Sequence, residues 1–125
     1  MIVDDEQDFG TVLQEALADG YEVEALLDGA TALRRLFAGE RFDLILCDLM
    51  MPWMDGIEFH RRLVATVPEQ AGRIVFMSGG ATTGRIESFF RRVPNIVIQK
   101  PLDLEGLRAL IDRRVHGDAG AAADR

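Results

Sequence analysis

Five short apolar runs, each followed by a stretch of helical spacing, constrain this chain more than any other feature. The runs cover residues 2–3, 21–26, 44–47, 74–77 and 96–98. All are strand-sized rather than helix-sized. After the first, Phe9, Val12, Leu13, Ala16 and Leu17 fall on one helical face until Asp19-Gly20 ends it. Ala32, Leu33, Leu36 and Phe37 make a second face closed by Gly39, after an Asp28-Gly29 turn. Ile57, Phe59, Leu63, Val64 and Val67 make a third, which Pro68 stops. Ile86, Phe89, Phe90 and Val93 make a fourth before Pro94, and Leu104, Leu107, Leu110, Ile111 and Val115 a fifth with Asp103 as N-cap. The run at 74–77 shows no polar alternation and is expected to be buried on both faces. Such a β-α repeat implies an α/β fold: a doubly wound parallel sheet of five strands, helices on both faces and right-handed crossovers.

In sheets of this kind, ligands bind outside the carboxyl ends of the strands. The polar residues at those ends are therefore the candidates for chemistry. Asp4 and Asp5 follow the first run and Asp48 follows the third. Ser78 follows the fourth, and Lys100, with Pro101 behind it, follows the last. A carboxylate at the mouth of a buried strand is costly unless something pairs with it. Carboxylates, a hydroxyl and a lysine on one edge suit a divalent cation and a phosphoryl group. Mg²⁺ takes one or two carboxylates plus waters and phosphate oxygens. Asp5 and Asp48 fit as direct ligands, with the Met50 carbonyl at a further position and Asp4 acting through a water; Mn²⁺ would satisfy the same donors. Asp48 could then attack phosphorus as a carboxylate nucleophile. Lys100 and Ser78 would hold the transferring oxygens.

Composition narrows the function classes. The chain has 125 residues and a net charge of −7, which fits one domain and argues against a nucleic-acid surface. A single cysteine, Cys47, excludes an internal disulfide and reads as a small core residue. No secretory signal or membrane-length apolar run is present, so the setting expected is cytoplasmic, with no membrane contact by this segment. Residues 117–125, rich in Gly, Ala and Asp, are expected to be a flexible tail or linker stub. His60 and His116 fall on predicted helices, where they are expected to be solvated.

These motifs resemble the receiver domain of two-component response regulators. The resemblance rests on Val3-Asp4-Asp5-Glu6 and on Asp48-Leu49-Met50-Met51-Pro52 continuing to Met54-Asp55-Gly56. A hydroxyl residue at Ser78 and the pair Lys100-Pro101 complete it. It covers residues 2 to about 116, and the domain is taken as 1–116. It implies the flavodoxin-like fold with strand order 2-1-3-4-5, a pattern already described for a chemotaxis receiver. By position it implies that Asp48 is the phosphoacceptor, Asp4 and Asp5 the acidic pair, Ser78 the switch hydroxyl and Lys100 the phosphate-binding lysine. It further implies Mg²⁺, a histidine kinase or histidine phosphotransfer domain as donor, and a phosphorylation-dependent homodimer as one mode of output. No direct contact with nucleic acid is expected, since no DNA-binding domain follows the last helix.

Departures from the pattern are informative. Many receivers carry Tyr or Phe three residues before the lysine; Val97 stands here, so aromatic switching at that place is unavailable. The loop Arg91-Arg92-Val93-Pro94-Asn95 replaces a common Gly-Ala approach and resembles receivers of hybrid histidine kinases. The first strand is short, with only Met1-Ile2-Val3 before Asp4. Two rival readings are an interaction module that never turns over phosphate and an aspartyl-phosphate phosphatase. The first predicts a missing acid or lysine, and none is missing. The second needs an acid two residues after the nucleophile, where Met50 stands. A P-loop fails because Arg85-Ile86 follows Gly84 instead of Lys-Ser/Thr, and Phe76-Met77-Ser78-Gly79-Gly80 lacks the leading glycine of a hydrolase elbow.

Overall fold

The period-two side-chain alternation of the strands divides the interior into two layers. In the computed structural model, which describes residues 1–80 and 82–117, the chain runs β1 (Ile2–Val3), α1 (Gln7–Leu17), β2 (Ala25–Leu26), α2 (Gly29–Phe37), β3 (Ile45–Asp48), α3 (Gly56–Thr66), α4 (Pro68–Ala71), β4 (Ile74–Ser78), α5 (Gly84–Arg92), β5 (Val97–Gln99) and α6 (Leu104–Asp112), closing with a π-helical turn at Arg113–Gly117. The five strands are parallel in the order β2-β1-β3-β4-β5. This is the flavodoxin-like topology expected from the sequence. Apart from Gly117, the expected tail at 117–125 lies outside the described residues.

Val3, Ile45, Cys47, Ile74 and Phe76 face one side and pack with Leu33 and Leu36 of α2, Phe59 and Leu63 of α3, and Phe89 of α5. Ile2, Leu44, Leu46, Val75 and Met77 face the other, against Leu13 and Leu17 of α1 and Leu107, Leu110 and Ile111 of α6. The strand β4 is buried along its whole length, as its unbroken apolar run required. Phe59 and Phe76 are fully buried, and each such side chain contributes about 1.5–3 kcal/mol through area removed from water. Cys47 is likewise buried and free.

Three helices start on side-chain caps: Asp28 accepts from the Thr31 N–H, Asp55 from Glu58 and Thr83 from Ile86. Asp103 occupies the N-cap position of α6 without a side-chain bond to the helix, so the expected cap is there in place only. Pro68 ends α3 as anticipated and also opens the four-residue α4 at its first position.

Other expectations need correction. The strand expected over 21–26 contracts to Ala25–Leu26, because β2 is an edge strand whose ladder can be no longer than its two-residue neighbour β1. The last strand is shifted by one residue, to Val97–Gln99, and its side chains are largely exposed at the other edge. His60 is not solvated: it is 8% exposed, wedged between α3 and α5 with its ring 5.2 Å from Phe89 and 6.0 Å from Phe76.

Candidate functional site

The apolar runs end where their last residues leave the core, and that boundary places the polar side chains. Asp48 is the final residue of β3, paired in register with Met77, and Ser78 is the final residue of β4. Asp4 and Asp5 lie between β1 and α1, and Lys100 directly follows β5. The four segments meet at the carboxyl edge of the sheet.

Asp4 is almost fully buried and doubly engaged. Its Oδ1 accepts the Glu6 N–H at 2.9 Å and its Oδ2 accepts Lys100 Nζ at 2.7 Å. Lys100 Nζ also lies 3.6 Å from Asp48 Oδ2 and 3.8 Å from Glu6 Oε1. Burial opposes the lysine's charge, but the Asp4 hydrogen bond and the charges of Asp48 and Asp4 outweigh it and hold its pKa above the ordinary value. Asp48 is 6% exposed. Burial, reinforced by the Asp4 charge, raises its pKa, while Lys100 and hydrogen bonding from the Met50 backbone oppose the rise.

Carboxylate oxygens of Asp4, Asp5 and Asp48 all lie within 4.8 Å of one another, the one such cluster of potential metal ligands among the described residues. Two of the three are buried and Asp5 opens to solvent. Hard oxygen donors, close together and rimmed by water, fit Mg²⁺ in the donor set they offer. Met50, on the loop after β3, is largely exposed. Ser78 Oγ accepts the Gly80 N–H at 3.2 Å, and its carbonyl accepts the Lys100 N–H at 2.8 Å. That second bond ties the hydroxyl-bearing strand end to the lysine-bearing one. The Lys100-Pro101 peptide bond is cis.

Gly56 has a role that the linear reading passed over, and Lys100, already named, carries a further signal. Gly56 does more than end a turn: a Cβ there would stand 2.8 Å from the Asp48 carbonyl oxygen, so only glycine lets the loop fold back under the acceptor strand. Lys100 is the only lysine among 14 basic residues. A chain that otherwise uses arginine throughout keeps a compact point charge at this one place, where a planar guanidinium would not be equivalent. The second of these signals was present in the sequence. Trp53, on the same loop as Met50, is fully exposed and adopts a left-handed φ of 70°.

A cleft of about 590 Å³ lies elsewhere, at the opposite edge of the sheet, lined by residues such as Leu17, Tyr21, Phe42 and Ile111. It gathers no comparable set of convergent ligands and carries no chemistry comparable to that of the acidic cluster.

A parallel 2-1-3-4-5 sheet with an acidic cluster and a lysine at its carboxyl edge is the architecture of a receiver-like α/β domain. The family model described as the response regulator receiver domain matches residues 1–112, and the chain belongs to that family. It is 34% identical over 108 residues to the response regulator receiver protein CpdR of Brucella abortus, covering 86% of this chain and 88% of CpdR. It is 36% identical over 86 residues to the transcriptional regulatory protein YrkP of Bacillus subtilis, covering 66% of this chain and 34% of YrkP. The chain thus spans about a third of YrkP but nearly all of CpdR. Among solved structures, the receiver domain of the sensor histidine kinase PA1611 from Pseudomonas aeruginosa matches at 28% identity and a TM-score of 0.75, covering 91% of this chain and 93% of that one. That domain was solved with a magnesium ion coordinated in its active-site cleft. No helix among the described residues is long and apolar enough to cross a membrane.

Proposed function

We propose that residues 1–116 form a receiver that accepts a phosphoryl group on Asp48 from the phosphohistidine of a histidine kinase or histidine phosphotransfer domain, in the cytoplasm. The observation that carries this reading is the position of the Asp48 carboxylate at the end of β3, within reach of the Asp4 and Asp5 carboxylates and 3.6 Å from Lys100 Nζ.

In the reaction, an Asp48 carboxylate oxygen attacks phosphorus while the bond from phosphorus to the donor's imidazole nitrogen breaks. The imidazole leaves with that electron pair. Lys100 neutralises charge on the transferring oxygens, and the Ser78 hydroxyl donates a hydrogen bond to one of them. Asp5 and Asp48 would hold Mg²⁺ directly, with the Met50 carbonyl beside them and Asp4 acting through a water. When bound, the cation supplies the positive charge that lets an anionic donor approach three carboxylates. Turning Lys100 and Ser78 toward the new phosphoryl group alters the surface around β4, β5 and α5, and thereby what docks there. This is the work of a signalling receiver, which assists its own phosphorylation and hydrolysis rather than processing a substrate pool.

Intact-mass spectrometry with acetyl phosphate or phosphoramidate tests the proposal. The protein should gain one phosphoryl group only when Mg²⁺ is present, and Asp48→Asn should gain none. Unchanged labelling of Asp48→Asn would place the acceptor elsewhere. Absence of any labelling of the parent protein would favour the reading as a pure interaction module.

A further inference from the structure

Lys100 Nζ lies over the face of the Phe9 ring, 4.2 Å from its centroid. Phe9 is the third residue of α1, half-buried against the cluster that contains Leu13 and Leu17. In the sequence its spacing explains it fully as a core residue of an amphipathic helix. The contact with the only lysine of the chain is a second role that periodicity does not require.

We infer that Phe9 is a positioning residue for phosphoryl transfer, holding the Lys100 ammonium at the acceptor by a cation–π contact. This inference rests on the reading of Asp48 as acceptor and Lys100 as its cation.

Four groups surround this ammonium: Asp4 at 2.7 Å, Asp48 at 3.6 Å, Glu6 at 3.8 Å and the ring face. Three are carboxylates, and a fourth in place of the ring would add repulsion toward an incoming phosphoryl dianion. The ring attracts the cation through its quadrupole and adds no net charge. It also takes no directed hydrogen bond, so the N–H groups not used by Asp4 stay available for phosphoryl oxygens. Lysine is a flexible four-carbon stem with several rotatable bonds, and a fixed aromatic face narrows where its end can go. The ring thus lowers the entropy lost when Lys100 engages the transition state.

The single lysine makes the test direct. In protein labelled with ¹³C-lysine, one set of ε-methylene signals is present, and the ring current of Phe9 should displace its protons upfield. Phe9→Leu, which keeps apolar bulk, should return those protons toward ordinary lysine values. Phe9→Tyr should retain the displacement. At saturating Mg²⁺ and well below the melting temperature, Phe9→Leu should label with phosphoramidate about five- to tenfold more slowly, and Phe9→Tyr at close to the parent rate. Mg²⁺ affinity should be the same in all three, because Phe9 belongs to none of the three carboxylates.

A purely structural role for Phe9 would lower the melting temperature of Phe9→Leu and move its lysine signal, but leave its labelling rate near that of the parent; an unchanged rate overturns the inference. Failure of the parent itself to label would refute the functional reading instead, and an undisplaced lysine signal would still refute the contact.

Discussion

Lys100 gives its short hydrogen bond, 2.7 Å, to Asp4 and stands 3.6 Å from Asp48, the residue read as acceptor. In the absence of phosphate the lysine therefore compensates a buried carboxylate that has no other cation partner among the described residues. On the proposed reading, phosphorylation would offer it a stronger anion next to Asp48, so that the resting pair with Asp4 and the contact with the phosphoryl group would compete for one ammonium. A divalent metal held by the acidic cluster would relieve that competition by taking over the neutralisation of the carboxylates.

Replacing the lysine exposes this balance. Lys100→Met leaves Asp4 and Asp48, both nearly buried, without their compensating charge. Breaking a pair of this kind destabilises by about 1–3 kcal/mol, discounted here because the lysine end is partly solvated. On the proposed reading Mg²⁺ binds the folded acidic cluster and not the unfolded chain, so tenfold excess over its dissociation constant should restore about 1.4 kcal/mol. Urea midpoints with and without Mg²⁺ check this. A variant as stable as the parent in metal-free buffer would show that the lysine contributes no net stability.

The lifetime of the aspartyl phosphate follows from what flanks the acceptor. Hydrolysis needs a water held in line with the phosphorus, and the resemblance to receivers implies that the positions two residues beyond Asp48 and Ser78 tune it. Here they are Met50, exposed and without a hydrogen-bonding group, and Gly80, with no side chain at all. The phosphoryl group should therefore outlast that of receivers with Asn or Glu at these places, and Met50→Asn should shorten its life. Decay followed by intact mass after donor removal gives the rate. Loss within seconds, unaltered by Met50→Asn, would contradict the argument.

Much of this site could be read without coordinates because the signal was one of punctuation. Four of the five runs stop at a polar residue, and a parallel sheet puts all those stops on one edge, so Asp4, Asp5, Asp48, Ser78 and Lys100 could be gathered from order alone. What could not be read was which carboxylate the lysine chooses, since Asp4 and Asp48 are equivalent in a linear description. His60 was misjudged for a related reason. It neighbours Phe59 on the helix, and a single apolar stripe does not reveal that α5 covers the adjoining face with Phe89. The contraction of β2 reflects the length of its neighbour, a property no local pattern contains. Gly56 read as a turn residue because its conflict with the Asp48 carbonyl arises only when the loop folds back.

Metal binding can be followed through the one tryptophan. Trp53 is fully exposed on the loop that joins Asp48 to α3, five residues beyond the acceptor. A cation held by Asp5, Asp48 and the Met50 carbonyl should reorder that loop, so Mg²⁺ should change Trp53 fluorescence saturably, on the order of millimolar for so water-rich a carboxylate site. Beryllofluoride, a phosphoryl mimic, should add a further change only with Mg²⁺ present. Asp5→Ala should lose the response and keep its circular dichroism, because Asp5 is an exposed residue. A response equal to the parent's would reduce the acidic pair to a helix-start feature.

His60 makes stability depend on pH in one direction. Burial disfavours the imidazolium and holds the pKa of His60 below the ordinary 6.5. As pH falls through that value, the unfolded chain takes up a proton before the folded one does. The unfolded state then binds more protons, so unfolding free energy decreases with falling pH, and the loss is absent above neutrality. Carboxylates also titrate on the acid side, and a variant separates the two contributions. His60→Phe keeps an aromatic ring between Phe76 and Phe89 and cannot be protonated. Its urea midpoint relative to the parent should rise as pH is lowered from 7.5 to 5.5, with carboxylate contributions cancelling in the difference. Parallel pH profiles for the two proteins would mean that the imidazole is protonated equally well in the folded and unfolded states.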